Sequence, residues 1–404
     1  MMVIFKLVVV FAIVMGIVAM KKPMSFAVVV GSLVTWLLYR LPAKEVAVLT
    51  INALTSLSTL QLVLVMYLIT FLQRMMEKRG AIEKARVSLS RLFNNRWVNC
   101  VAAPIFIGLL PSPNAAFIAG DMVKASAGEY LNDEQQAVTT TFFRHISEAF
   151  LPTYSSILMA LTLTGISAAD FVLGMIPMVA ILIVLGILFF LKGKVPTETG
   201  EEPSQNRWHD FLQLCDGVWA IFLIIGLILA FNFTTINATA IVLVLYFFIN
   251  RFTFNEIKPF FLSAFESKIV FNTFAVMVFK EMLTASGAIN ALPDFFAQFP
   301  IPPFLIFTLI FLFGTLVAGS LAIIVLVLPV AMATVPNAGL PLVILLMSTT
   351  YTAMQISPTH ICLSLVAEHF NVSLGAIIKR TIPLVAVFMV ISIAYYLGVT
   401  TLFA

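Results

Sequence analysis

Residues 176–180 read Ile176-Pro177-Met178-Val179-Ala180, and residues 382–386 read Ile382-Pro383-Leu384-Val385-Ala386, an offset of 206. The same offset carries Gly108 onto Gly314, Pro152-Thr153 onto Pro358-Thr359 and Ser167 onto Ser373. Upstream the register slips by one, and Gly80-Ala81-Ile82 answers to Gly287-Ala288-Ile289. One such match is unremarkable in an apolar sequence. A register held through prolines and glycines, residues that fix backbone geometry, reads as a duplicated structural unit.

The solvent of that unit follows from composition. Hydrophobic residues make up 61% of the chain and charged residues 10%, with a mean hydropathy of +1.06, too few charges to cover a soluble surface. Stretches long enough to cross hydrocarbon are expected at Val3–Met20, Ser25–Leu41, Leu57–Met75, Phe171–Leu191, Val218–Phe231, Ala238–Ile249, Val270–Leu283 and Ile377–Leu397. The first has no basic start and no small-residue cleavage site, so it is expected to stay as a span. No Lys/Arg run with interleaved aromatics points to nucleic acid. Cys100, Cys215 and Cys362 are too few and too scattered to suggest a disulfide framework or a metal site.

Lys and Arg in short connections mark the cytoplasmic side. They gather at Lys21 and Lys22, over 74–96, at Lys192, Lys194 and Arg207, and at Arg251, Lys258, Lys268, Lys379 and Arg380. The opposite connections hold little beyond Arg40 and Lys44. This pattern predicts an inner (cell) membrane protein with both termini outside. A first repeat would run over 1–191, a cytoplasmic linker over 192–215 and a second repeat over 216–404. Each repeat then crosses an odd number of times, so the two are inverted. The stretch 76–97 is crowded with Lys and Arg, whereas its counterpart 284–303 has none and carries Asp294, as inversion requires.

Two elements per half break the rules for a simple span. In 98–127, the run Leu110-Pro111-Ser112-Pro113-Asn114 ends a helix and leaves two arms too short to cross, which predicts a re-entrant hairpin. Its counterpart over 303–333 turns at Ala318-Gly319-Ser320. The following elements, 137–165 and 342–370, are interrupted near Pro152-Thr153 and Ser357-Pro358-Thr359 and read as discontinuous transmembrane helices. Such breaks survive in lipid only where they are buried or line a cavity. The expected fold is therefore an all-α polytopic membrane protein of two inverted repeats, an arrangement found in many secondary transporters.

On these hairpins, breaks and small-residue motifs, the chain resembles the ion-transporter superfamily, which includes gluconate, citrate, dicarboxylate and divalent anion–sodium carriers, and within it an uncharacterised branch. The resemblance implies a homodimer in the lipid bilayer, in which hairpins and broken helices slide as an elevator. It implies a small organic anion as substrate, and a site built from Ser112, Pro113, Asn114, Thr153, Tyr154, Ser155, Gly319, Ser320, Ser357, Thr359 and His360. No cofactor is expected apart from a sodium ion, with sites at Asn114, Thr153, Ser320 and Thr359. Sodium-coupled carboxylate carriers hold a Ser-Asn-Thr pattern at such tips. Here the tips read Ser112-Pro113-Asn114 and Ala318-Gly319-Ser320, so sodium and proton coupling both stay open.

Charges inside a membrane are costly and mark function by default. Arg144, His145 and Glu148 precede the first break, Asp121 lies in the second arm of the first hairpin, and His360 follows the second break where Tyr154 follows the first. Arg144 and Glu148, four apart, share a helix face. They read either as a neutralised pair or as a carboxylate clamp beside a proton-coupling group. His209 is expected in a soluble connection. No phosphate-binding glycine loop, His-Glu-x-x-His or Gly-x-Ser-x-Gly string is present, which leaves a carrier rather than an enzyme as the main expectation. A membrane subunit that works with a soluble binding protein is the second reading, and a membrane-embedded enzyme the third.

Overall fold

Long apolar segments fold as helices because a helix satisfies its backbone polar groups internally, which hydrocarbon demands. The computed structural model describes residues 2–20, 22–92, 95–109, 115–198, 206–288, 298, 300–335, 338–358 and 360–402. Among them there is no strand. In the first half the helices are α1 (Met2–Ala19), α2 (Met24–Tyr39), α3 (Ala43–Thr55), α4 (Leu57–Lys78), α5 (Ala81–Leu92), α6 (Arg96–Gly108), α7 (Ala115–Ala127), α8 (Asp133–Phe150), α9 (Ser155–Thr164) and α10 (Ala168–Gly186). The last of these runs on through a π-helical turn at Ile187–Leu191. In the second half they are α11 (Arg207–Phe231), α12 (Thr235–Ile249), α13 (Phe254–Ser263), α14 (Ser267–Ala285), α15 (Pro303–Ala318), α16 (Ser320–Thr334), α17 (Leu340–Gln355), α18 (Ile361–His369) and α19 (Leu374–Leu402).

Helix ends follow local chemistry. Asn132 and Gln135 form a reciprocal capping box at the start of α8, and Ser167 caps α10 through the Asp170 N–H. Gly165 ends α9 at φ 73°, a left-handed conformation open to glycine. Among the described residues, five stretches are long and apolar enough to cross a membrane: Leu57–Lys78, Asp133–Thr164, Ala168–Leu191, Arg207–Phe231 and Leu374–Leu402. The protein is an all-α, membrane-embedded chain.

Two corrections concern the connections. The stretch between the halves is helical from Arg207, so His209 lies exposed in the first turn of α11, where Asn206 caps its N–H, and not in a loop. Charge density suggested a loop there. The helix persists because α11 packs along α5, closely enough that a Cβ on Gly217 would sit 2.8 Å from the Ala81 carbonyl oxygen. The short helices α3, α5 and α13 also occupy stretches read as connections. They are too short to span, and Thr253 and Glu256 give α13 its own capping box.

The helices pack as two groups. In one, α1 lies on α2, α11 on α12, α2 on α14 and α12 on α4. In the other, α6 lies on α8 and α15 on α17, while α16 crosses onto α9 and α7 onto α18. The first arm of each hairpin packs on the broken helix of its own half, and the second arms also reach the other half, although α7 packs on α8 as well. Gly108 permits the closest approach, because a Cβ there would fall 2.2 Å from the Arg144 carbonyl oxygen.

Ion pairs tie helix ends. Arg79 reaches Glu256 at 2.9 Å while its guanidinium stacks 3.8 Å from the Phe252 ring centroid, and Arg380 meets Glu134 at 2.6 Å. The Arg79 hydrogen bond holds the Glu256 carboxyl down to about 2 from its ordinary 4.5.

Gly108→Ala should destabilise the detergent-solubilised protein by about 1–3 kcal/mol through overpacking. Gly226→Ala, with nothing within 4 Å, should be neutral or mildly stabilising in a thermal melt. Because the Glu256 pKa is depressed, its contribution is present above the unfolded value and lost as pH falls through the folded one. The gap in melting temperature between wild type and Glu256→Gln should therefore be full at neutral pH and close between the ordinary 4.5 and about 2. A gap independent of pH would contradict the assignment.

Candidate functional site

The centre of the second helix group is where both broken helices are interrupted. The first gives up helical bonding between Phe150 and Ser155, the second between Gln355 and Ile361. Carbonyls near the ends of the hairpin arms accept from side chains of the broken helices. Ser147 Oγ donates to the Ile105 carbonyl at 2.7 Å, the Tyr154 hydroxyl donates to the Gly108 carbonyl, and Ser357 Oγ donates to the Leu316 carbonyl at 3.2 Å. Each broken helix thereby anchors the first arm of the hairpin in its own half.

The sequence-predicted residues divide sharply. Arg144, His145, Glu148 and His360 come together. Arg144 Nη1 lies 3.2 Å from Glu148 Oε1 and 3.4 Å from His145 Nε2, and His145 Nε2 lies 2.9 Å from His360 Nε2. The two imidazoles meet at 64°, with centroids 4.9 Å apart. Arg144 is 2% exposed and Glu148 11%, so the pair is buried and each charge depends on the other. His145 Nδ1 lies 2.5 Å from the Thr141 carbonyl oxygen. A carbonyl only accepts, so Nδ1 carries the proton and Nε2 of the neutral ring presents its lone pair to His360.

Asp121 does not join them. Its carboxylate is 64% exposed and pairs with His369 at 3.3 Å, linking α7 to the end of α18. Thr153, Tyr154 and Ser155 form the first break and start of α9, and the Thr153 hydroxyl is enclosed with no hydrogen-bond partner among the described residues. Gly319 turns between α15 and α16 at φ 84°, ψ 162°, and Ser320 opens α16. Ser357 is buried in the second break. Ser112, Pro113, Asn114 and Thr359 lie outside the described residues. The amino termini of α9, α16 and α18 carry no side-chain cap.

Cys362 was missed from sequence. In the first turn of α18, it places its thiol with His145 and His360 so that one ligand atom from each lies within 4.8 Å of the others. Its neighbours are histidines, and one of them sits 217 positions away in the chain. The spacing His360-x-Cys362 was the only local signal. Buried Tyr351, whose hydroxyl donates to the Phe142 carbonyl at 3.2 Å, also joins the two broken helices and carried no sequence flag.

Neutralising either member of the buried pair should strand the other charge. Arg144→Gln and Glu148→Gln should each cost about 3–5 kcal/mol, and the double variant less than their sum. A thermal double-mutant cycle that proves additive would show the two charges to be energetically independent.

No curated protein matches the chain significantly. The family described as "Protein of unknown function (DUF401)" matches residues 3–400, nearly the whole length, and the chain belongs to that family.

Proposed function

We propose that the protein is a secondary transporter for a small organic anion, a carboxylate, moved by alternating access and coupled to protons or sodium. The observation that carries this reading is the meeting of two broken helices at their breaks around a buried Arg144–Glu148–His145–His360 cluster. A protein of purely structural purpose gains little from interrupting two helices inside hydrocarbon and gathering four buried or half-buried ionisable side chains there. Uncapped helix amino termini supply N–H groups and the positive dipole end for a carboxylate. Arg144 is the fork that would exchange Glu148 for substrate carboxylate, leaving Glu148 or a histidine to take the coupled proton. The enclosed Thr153 hydroxyl is a further ligand donor.

Inverted duplication supports the same reading. Shifted by 206, the bounds of α7, α8 and α9 fall within one residue of those of α16, α17 and α18, and α10 begins where α19 does. The cross-gripping of hairpins and broken helices is what a two-fold relation between the halves produces. In this reading the group α6–α10 with α15–α19 moves as an elevator, and the group α1–α5 with α11–α14 stays as the scaffold of a homodimer. A cleft of about 430 Å³ lies between them, lined by Gln61, Thr162, Ser167 and Asn232. Both termini lie outside and the connection between the halves is cytoplasmic.

Purified protein in liposomes should accumulate a labelled carboxylate under an inward proton or sodium gradient, and Arg144→Gln should abolish uptake. Absence of uptake across mono-, di- and tricarboxylates by demonstrably folded protein would overturn the carrier reading. Single cysteines replacing Lys78 and Ala285, the ends of α4 and α14, should label with impermeant reagents from opposite sides. Labelling from the same side would end the inverted-repeat reading.

A further inference from the structure

The Arg144–Glu148 pair accounts for two charges of the cluster but gives no reason for a thiol and two imidazoles to converge beside it. We propose that His145, His360 and Cys362 form a binding site for one soft transition-metal ion of the Zn²⁺ class, which clamps the first broken helix to the second. The donor set is that of zinc and its borderline-soft neighbours, two imidazole nitrogens and one sulfur. Tetrahedral zinc at its usual bond lengths sets donor atoms about 3.3–3.6 Å apart. The imidazole nitrogens stand at 2.9 Å and all three donors within 4.8 Å, so small side-chain adjustments close the site.

Three further features fit a metal. His145 has the orientation of a ligand held from behind, its Nδ1–H on the Thr141 carbonyl and its Nε2 lone pair facing the other donors. Glu148 Oε1 lies 3.9 Å from that Nε2, so a carboxylate stands beside the donors while it pairs with Arg144. The positive charge of Arg144 is balanced by Glu148, so the neighbourhood is neutral before the ion arrives. Access exists, because His360 and Cys362 are only half-buried and Ile361 between them is 70% exposed. On binding, the Cys362 thiol releases its proton, and His360 shifts its own from Nε2 to Nδ1 to free a lone pair. Metal affinity should therefore rise with pH.

This inference stands apart from transport, since it concerns equilibrium binding to the purified protein. Chelator-stripped full-length protein should bind one Zn²⁺ per chain in equilibrium dialysis. Co²⁺ in its place should show a thiolate-to-metal charge-transfer band. Cys362→Ser, which changes one atom, should erase the band and weaken Zn²⁺ binding by about tenfold or more, and His360→Gln should weaken it similarly. Cys215→Ser, on α11, should change neither. Should Cys362→Ser fail to fold, the His360→Gln protein and the Co²⁺ spectrum of wild type decide alone. Zn²⁺ binding equal in wild type and variants, or a Co²⁺ complex of wild type without the thiolate band, would overturn the site.

Discussion

Everything in the second helix group depends on the satisfaction of backbone carbonyls where helices stop inside an apolar solvent. An interrupted helix leaves N–H and C=O groups that lipid cannot solvate, and each unsatisfied group costs several kcal/mol. The protein meets this cost with side chains from neighbouring elements. Tyr154 closes the carbonyl of Gly108 and Ser357 that of Leu316, while Ser147 adds a second donor to the Ile105 carbonyl, which already accepts the Leu109 N–H. Those bonds require the hairpin arms to lie directly against the broken helices, and Gly108 has no side chain because the Arg144 carbonyl occupies the space. The close packing of the hairpins follows from the need to break the helices at all.

Several threonines elsewhere in the same helices obey the same rule more simply. Thr139, Thr140 and Thr141 in α8, and Thr349 and Thr350 in α17, turn their hydroxyls back onto carbonyls of the preceding turn. They are content within their own helix. Arg144, His145, Glu148 and His360 are different, for their partners come from one another and across the two halves. This contrast, more than polarity itself, separates the candidate site from ordinary buried threonines. The Thr153 hydroxyl in the first break, and those of Ser348 and Thr352 in α17, are enclosed without a described partner.

Much of this arrangement was legible in the chain. Prolines and glycines at 110–114, 152, 319 and 358 marked the interruptions, because these residues act through their own backbone, without help from distant parts of the chain. The helix bounds on either side of the described breaks fall where those residues place them. Connections were read less well. The helices α3, α5 and α13 and the first turns of α11 are short or charged, and their helicity depends on packing that a local reading does not contain.

What the sequence alone determined is therefore the solvent, the helical content and the positions of the breaks, since hydropathy, length and proline chemistry are properties of a segment by itself. What only the tertiary structure decided is which ionisable groups meet. Asp121 and Arg144 looked alike as intramembrane charges, yet one turns to His369 at an exposed edge and the other is buried against Glu148. Cys362 looked isolated until folding set it beside His145, 217 positions away. Such pairings depend on how hairpins and broken helices of opposite halves interlock, and that information lies in the packing between elements rather than within any one of them.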